Sequence, residues 1–524
     1  MTLREMASLR EDATGLAREE AEAEWLCAAG RPGGAGVAAR ARAHPLASSR
    51  DGVAQAREAL EAALADAERP GRAARLASLR DFLVRALARA LEPGAAQELA
   101  ELPGRPAVRP PGDAGLHGAL PAIAVDRELP FIRERQRRGE LERALAAAVD
   151  EESSVRGAVW EAAQAALLEL RPGDPGESAA LLHERGWAAV PKGTTAAAGV
   201  RAACERVLEG TEAIAADLFA WLLERHTGAR SHPGGAERHD VLHLVHSPKF
   251  AGAFPRGEQL RTCRRWGEML RLDLQVNGAV KLDDEERPLK PSGARAVATD
   301  PPDEVRIALW PAEGPRALAE LLHALGVALL RAGPPGDAPP EDLWFSDPAL
   351  PQAAGELLSG LVRDSGFLRR CANADLGRDD ERAIAVAAVV DARVAAARAL
   401  AALDAHRDGF GARAAEACRS RFARAALAEL PAGLALRELD PFLGSWAQLR
   451  GMCGAARIRA VLRERFDEDY WRNPRTVPVL RGLWGRGGRP TLRELWAEVA
   501  PRDEPEGAQP SVEPLLAELT EACR

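Results

Sequence analysis

The sequence predicts a mainly α-helical protein with one small β-sheet. Three observations lead there. Apolar residues recur at three- and four-residue spacing over most of the 524 positions, the signature of helices with one buried face. Runs of alternating apolar and polar residues, which mark half-buried strands, are scarce. Proline and glycine cluster between the periodic stretches rather than inside them.

Taken in order, "DGVAQAREALEAALADAE" (51–68) and "RAARLASLRDFLVRALARALE" (72–92) each read as one helix. "LPGRPAVRPPGDAG" (102–115) is rich in Pro and Gly and has no periodicity, so it reads as a connector. It divides an N-terminal helical segment, 1–115, from a larger helical body, 116–524. "RGELERALAAAVDEESSVRGAVWEAAQAALLEL" (138–170) and "AAGVRAACERVLEGTEAIAADLFAWLLERH" (197–226) continue the helical pattern, as does "DERAIAVAAVVDARVAAARALAALDAHRD" (380–408).

The strand candidates are two. In "DEVRIALWP" (303–311), Val305, Ile307 and Leu309 alternate with Arg306 and Ala308. In "LDLQVNGAVKLDD" (272–284), Asn277-Gly278 is a hairpin turn pair. "GRGGRP" (485–490) lacks the Lys-Ser/Thr and the strand-before, helix-after setting of a phosphate loop, and reads as a turn. The charged stretch "APRDEPEGAQPSVEP" (500–514) leads into one short last helix.

Composition narrows the function classes. Net charge is −8 with both signs interspersed, which provides no field for attracting nucleic acid. No window approaches the ~18 uninterrupted apolar residues of a membrane span, and the N-terminus lacks a signal-peptide core; a cytoplasmic location is expected. The seven cysteines are scattered and form no C-x-x-C pair, the pattern of reduced, mostly buried thiols.

The stretch with most chemistry in it is "GPRALAELLHALGVALLRAG". Gly314-Pro315 opens a helix, Gly333 followed by Pro334-Pro335 closes it, and Leu318, Leu322, Leu325 and Leu329 form its buried stripe. His323 and Val327 are four apart on another face. Gly326 costs ~1 kcal/mol inside a helix unless something packs closely on it. A second cluster, "ERHDVLHLVH", sets His239, His243 and His246 at i, i+4 and i+7 beside Asp240. Histidine is a common metal ligand, yet consecutive turns lie ~5–6 Å apart, so three seldom meet one ion. The plainer reading is a solvated or partner-facing stripe of an amphipathic helix; if a metal binds here, His239 and His243 are the pair that holds it. Lys290, Arg295 and Arg306 near the 303–311 strand could meet a peptide carboxylate, or be surface charge on an Arg-rich chain. Trp310 at the strand end is either core or a stacking platform.

Several segments, in order, carry a resemblance: "ERHDVLHLVHSPKFAGAFP", "LDDEERPLKPSGARAV", "DEVRIALWPAEGPRALAELLHALGVALL", "FSDPALPQAAGELLSGLVRD" and "ERFDEDYWRNPRTVPVLRGLWGRGGRPTLRELW". Together they resemble the thimet-oligopeptidase and oligoendopeptidase F group of zinc metallopeptidases. The resemblance implies a two-lobed, oligopeptidase-like helical fold with a deep cleft and a short edge strand, 304–310, beside the zinc helix.

In that family a helical H-E-x-x-H grips zinc with two imidazoles, a glutamate polarises the attacking water, and a third ligand arrives from another helix. Here the first histidine falls on His323, the general-base glutamate on Ala324 and the second histidine on Val327. The third-ligand glutamate falls on Gln352, with Glu356 one turn later as the other register. The family's oxyanion tyrosines have no counterpart; Tyr470, the one tyrosine, does not match them. Structural zinc sites are worth ~10–16 kcal/mol, and one imidazole keeping a third of that binds at roughly millimolar strength. Loss of the base removes a further ~10²–10⁴-fold.

The expectation is therefore a catalytically inactive homologue without zinc or other cofactor. It would hold a peptide or protein segment in its cleft, with Arg306 and Trp310 as peptide contacts and the 304–310 edge as the place for an added strand. Two other readings stay open: a metal-dependent hydrolase whose metal has moved to the His239/His243 region, and a purely structural assembly subunit.

Overall fold

The computed structural model describes residues 3–31, 33–34, 36–65, 70–109, 119–184, 194–230, 235–499 and 510–524. These fold into a mainly helical body, as the periodicity predicts. One continuous apolar core runs through it, from Leu9 and Leu76 near the N-terminus through Leu322 and Ala396 to Leu519 near the C-terminus. The helices expected at 51–68, 72–92 and 380–408 appear as Arg50–Ala65, Pro70–Leu91 and Arg378–Asp408.

Two long helical readings are broken. The 138–170 stretch forms two helices, Arg135–Asp150 and Ser153–Leu168. The break falls in the acidic run Glu151-Glu152, and Trp160 of the second helix is 2% exposed. The 197–226 stretch ends its first helix, Ala196–Gly210, at Thr211, whose hydroxyl donates back to the Val207 carbonyl at 2.7 Å. It resumes through a short π-helical turn, Ala215–Phe219, into helix Ala220–Thr227.

There are two small sheets rather than one. Strands β1 (Pro106–Val108) and β2 (Leu120–Pro121) pair antiparallel. β1 lies within the Pro/Gly connector and β2 just beyond it, and residues 110–118 between them lie outside the described residues. The larger sheet holds β3 (Val280–Asp283), β4 (Ala294–Asp300) and β5 (Glu304–Leu309), in the order β3-β5-β4.

This order corrects two expectations. β5 is the central strand, parallel to β3 and antiparallel to β4, so the 304–310 stretch is no edge. The Asn277-Gly278 turn does form, with positive φ at both residues. It makes no hairpin, because residues 272–276 are not strand; Asp273 caps the turn instead, accepting from the Gln275 and Asn277 amides at 2.9 and 2.7 Å.

Helix Pro315–Ala332 starts at Gly314 (φ 96°) and ends before Gly333, as its punctuation predicts. Helix Ala349–Ser359 packs between it and helix Gly444–Phe466. Three glycines set these crossings. A Cβ on Gly326 would stand 2.1 Å from the Ala354 carbonyl oxygen, and one on Gly451 would stand 2.3 Å from the Gln352 Cβ. A Cβ on Gly355 would stand 2.5 Å from the His323 ring. Helix backbones meet only where side chains are absent, and close fit at such points fixes the register of the helices.

Candidate functional site

Those crossings bring the four positions of the zinc-motif resemblance together. His323, Ala324 and Val327 from one helix and Gln352 from the next line a single cavity of about 630 Å³. Glu356, the other register for a third ligand, does not reach it; it lines a neighbouring cavity of about 340 Å³. His323, Gln352 and Ala294 line both, so the two cavities adjoin as one cleft at these residues.

The His323 ring rests on the backbone of Gly355. Ala324 is buried, while His323, Val327 and Gln352 are half-buried. Among the described residues nothing hydrogen-bonds the His323 imidazole or the Gln352 amide, and the same is true of Gln448, which enters the smaller cavity from helix Gly444–Phe466. Three uncommitted polar side chains therefore line the cleft, His323 and Gln352 where the two cavities adjoin and Gln448 in the smaller one. No grouping of three or more His, Cys, Asp or Glu that could hold a metal ion occurs among the described residues.

The wall opposite the His323 helix is β4. The Trp310 amide donates to the Gly293 carbonyl at 2.8 Å, which makes Gly293 and Trp310 a hydrogen-bonded antiparallel pair. Strict alternation then aims the N–H and C=O groups of Ala294, Ala296 and Ala298 away from β5. These groups enter no other backbone hydrogen bond among the described residues. Pro291 through Ala298 line the larger cavity, so this bare edge opens into it.

Helix Leu3–Ala28 closes the groove from above. Its Trp25 and Ala28, with the following Ala29, pack on Val297 and Ala308, on one face of the sheet. Its Ala17, Glu20, Ala21 and Glu24 extend along the cavity. Glu24 pairs with Arg295 at 2.6 Å and Glu20 with Arg89 at 2.7 Å.

The other candidates are spent elsewhere. Arg306 pairs with Glu304 at 2.7 Å and Glu22 at 3.3 Å, and its guanidinium lies 5.4 Å from the Trp25 ring centroid. Trp310 is half-buried under the Arg127 guanidinium at 3.9 Å. Neither lines the cleft. Lys290 is no surface charge: it is fully buried, and its ammonium donates to the Asp283 and Glu285 carbonyls at 2.8 and 2.9 Å. Burial holds its pKa below the ordinary lysine value.

The histidine stripe is turned inward in part, with His239 buried and His243 and His246 half-buried. His239 is 1% exposed, with Nε2 2.7 Å from Glu237 Oε2 and Nδ1 3.2 Å from Asp240 Oδ1. Asp240 is held well below the carboxylate range: burial opposes its ionisation, and the hydrogen bonds from His239 and Arg135 outweigh burial. His243 Nδ1 bonds the Pro130 carbonyl at 2.7 Å, and His246 Nδ1 the Leu242 carbonyl at 2.8 Å. Each ring thus has its own partner inside the chain. Tyr470 is buried, which pushes its hydroxyl up to about 12, and it lines neither cavity.

Sequence reading missed Gln448, Glu320 and the edge of β4. Glu320 sits one turn before His323, a spacing visible in the sequence. Gln448 and the bare edge depend on long-range packing that no local signal reports.

The backbone matches solved metallopeptidases. A protein described as an oligoendopeptidase F from Bacillus anthracis superposes with a TM-score of 0.59, at 12% identity, over 90% of this chain and 82% of its own. Metallocarboxypeptidase 1 of Trypanosoma cruzi gives 0.54 at 14% identity over the whole of both chains. A carboxypeptidase from Pyrococcus furiosus gives 0.55 at 13%, over 99% of this chain and 98% of its own. The fold is that of these metallopeptidases. It is shared with carboxypeptidases as well as with the oligoendopeptidase F group that the sequence resembles. No protein-family model matches the chain, and no curated protein matches it in sequence.

Proposed function

We propose that this chain is a non-catalytic member of the metallopeptidase fold that binds an extended peptide segment in its cleft. The observation that carries the reading is the composition of the cleft wall where the resemblance puts a zinc site. Of the four positions gathered there, only His323 is a metal ligand; Ala324, Val327 and Gln352 supply neither a second imidazole nor carboxylate. A single imidazole holds zinc at roughly millimolar strength. With Ala324 in the place of a carboxylate, that position provides no general base.

Peptide binding is supported by the groove itself. The outward amides and carbonyls of Ala294, Ala296 and Ala298 are the donor and acceptor row that an extended chain requires. An added strand would present alternate side chains to helix Leu3–Ala28 on one side and to His323 and Gln352 on the other. The edge is β4, next to the strand that the sequence singles out.

The test combines calorimetric titration of the full chain with end-blocked extended octapeptides, metal analysis of untagged protein, and a hydrolysis assay on the same preparation. Binding without cleavage and without stoichiometric zinc is expected. Ala296→Pro removes one outward N–H and leaves the pairing with β5 intact, so it should weaken binding about tenfold, the ~1.4 kcal/mol of one well-made hydrogen bond. Cleavage that vanishes in His323→Ala would defeat the non-catalytic reading, and unchanged affinity in Ala296→Pro would defeat the strand mode.

A further inference from the structure

The peptide reading leaves the smaller cavity unexplained. It lies beyond His323 and Gln352 at the Ala294 end of the groove, so a peptide following β4 would send a side chain into it. At about 340 Å³ it has room for one large side chain. Its floor is apolar, with Val362, Ile384, Ala388 and Met452 among the lining residues.

Its far wall is charged, and the balance of donors to acceptors is uneven. Arg316 pairs with both Glu320, at 3.0 Å, and Asp391. The other lining guanidinium, Arg363, is taken by Glu518 of helix Glu513–Cys523 at 2.5 Å, and Glu518 also binds Arg459 at 2.8 Å. Among the described residues the Glu356 carboxylate accepts only the Ser359 hydroxyl, at 3.1 Å. The charges that line the cavity are Arg316 and Arg363 against Glu320, Glu356 and Asp391, two against three. Both guanidiniums are engaged, whereas a carboxylate accepts about four hydrogen bonds and each of these three lining carboxylates accepts one among the described residues. Unused acceptors above an apolar shaft suit a long aliphatic stem with a cationic end.

We propose that this cavity is a subsite for the arginine or lysine side chain of a peptide lying along β4, with its cation meeting Glu320, Asp391 and Glu356. The proposal rests on the peptide-binding reading above and adds its sequence preference.

The test uses the full chain and acetylated, amidated alanine-based octapeptides carrying a single Arg, citrulline or Glu at each position in turn, read by calorimetry. A matched set with a free N-terminus separates a side-chain cation from the terminal ammonium. At one register the Arg peptide should bind at least tenfold more tightly than its citrulline isostere, and the Glu peptide more weakly than both. Glu320→Gln should reduce that ratio to about twofold, and Glu356→Gln, which leaves Arg316 paired, serves should the first variant fail to fold. Equal affinity of Arg and citrulline peptides would overturn the subsite while leaving peptide binding in place. Preference for the free terminus over the Arg side chain would overturn it in the same way. Absence of binding by every peptide would remove the underlying reading and this one with it.

Discussion

Gly326→Ala tests the contact on which the cleft is built. In an exposed helix interior this change gains up to ~1 kcal/mol from propensity and reduced unfolded-state entropy. Here the new methyl carbon would fall 2.1 Å from the Ala354 carbonyl oxygen, 2.7 Å from its carbon and 3.0 Å from the Gly355 Cα. All three are backbone atoms of a helix wedged against Gly444–Phe466, where Gly451 already meets Gln352 at closest packing. No rotamer can relieve the overlap, so helices Pro315–Ala332 and Ala349–Ser359 must separate. Overpacking a rigid core costs about 1–3 kcal/mol, with backbone collisions at the upper end; set against the propensity gain, the net loss is about 2 kcal/mol. Gly199→Ala is the control, because it lies in helix Ala196–Gly210 with nothing within 4 Å of the new atom. Urea unfolding followed by far-UV circular dichroism should show Gly199→Ala unchanged or more stable, and Gly326→Ala less stable. If both substitutions stabilise alike, the two helices do not meet at this point, and His323 and Gln352 do not share a cavity.

Two further outcomes follow from the buried chemistry. His183 donates from Nε2 to the Phe442 carbonyl at 2.9 Å and accepts at Nδ1 from Arg450, also at 2.9 Å, so its folded state is neutral. Burial, and then the charge of Arg450, push it down to about 3, against about 6.5 in the unfolded chain. His226 is pushed down to about 4, by burial and then by Lys249. A depressed folded pKa means that the unfolded chain takes up the proton first. Stability should therefore be full above about pH 7 and fall as the pH drops through 6 and 5, by up to about 1.4 kcal/mol per pH unit for His183. Urea midpoints that stay level or rise from pH 7 to pH 5 would contradict this. Separately, the triple substitution Ala324→Glu, Val327→His and Gln352→Glu would, with His323, put two imidazoles and two carboxylates around one cavity. It should acquire stoichiometric zinc at micromolar concentration or below, with a rise in thermal midpoint on adding metal. A folded variant that gains no zinc would show that these positions do not converge.

What the sequence made legible was whatever is encoded locally. Helix Pro315–Ala332 is bounded by Gly314-Pro315 and Gly333, and Gly326, anomalous in a helix of leucines and alanines, pointed correctly to a close approach by another element. The break after Asp150 was not legible, since apolar spacing persists across Glu151-Glu152 while the packing of Trp160 sets a new direction. Nor was the position of β5. Its alternation identifies a strand, but whether a strand is central or at an edge depends on which others reach it, and Val280 and Ala298 come from separate stretches of chain to flank Val305. The histidine stripe shows the same limit: i, i+4 and i+7 spacing defines a helix face, and only the approach of Gly139 to the His239 ring and of the Pro130 carbonyl to His243 turns part of that face inward.

The shape of the cleft has its physical basis in contacts between helix backbones rather than in the side chains of its wall. His323 stands where it does because its ring lies on Gly355, and Gln352 stands opposite because Gly451 admits its backbone. Neither placement uses a metal. Exchanging a glutamate for alanine or a histidine for valine on the cavity wall changes polarity and leaves the helix crossings untouched, whereas a single methyl on Gly326 drives the two helices apart. Selection for stability therefore acts on the glycines, and selection for chemistry on the wall residues, so the two can be lost separately. β4 belongs with the first group: its outward amides are backbone, which no side-chain substitution short of proline removes. Under the proposed reading, an extended chain would be met by backbone groups whose placement does not depend on the side chains at 323, 324, 327 and 352.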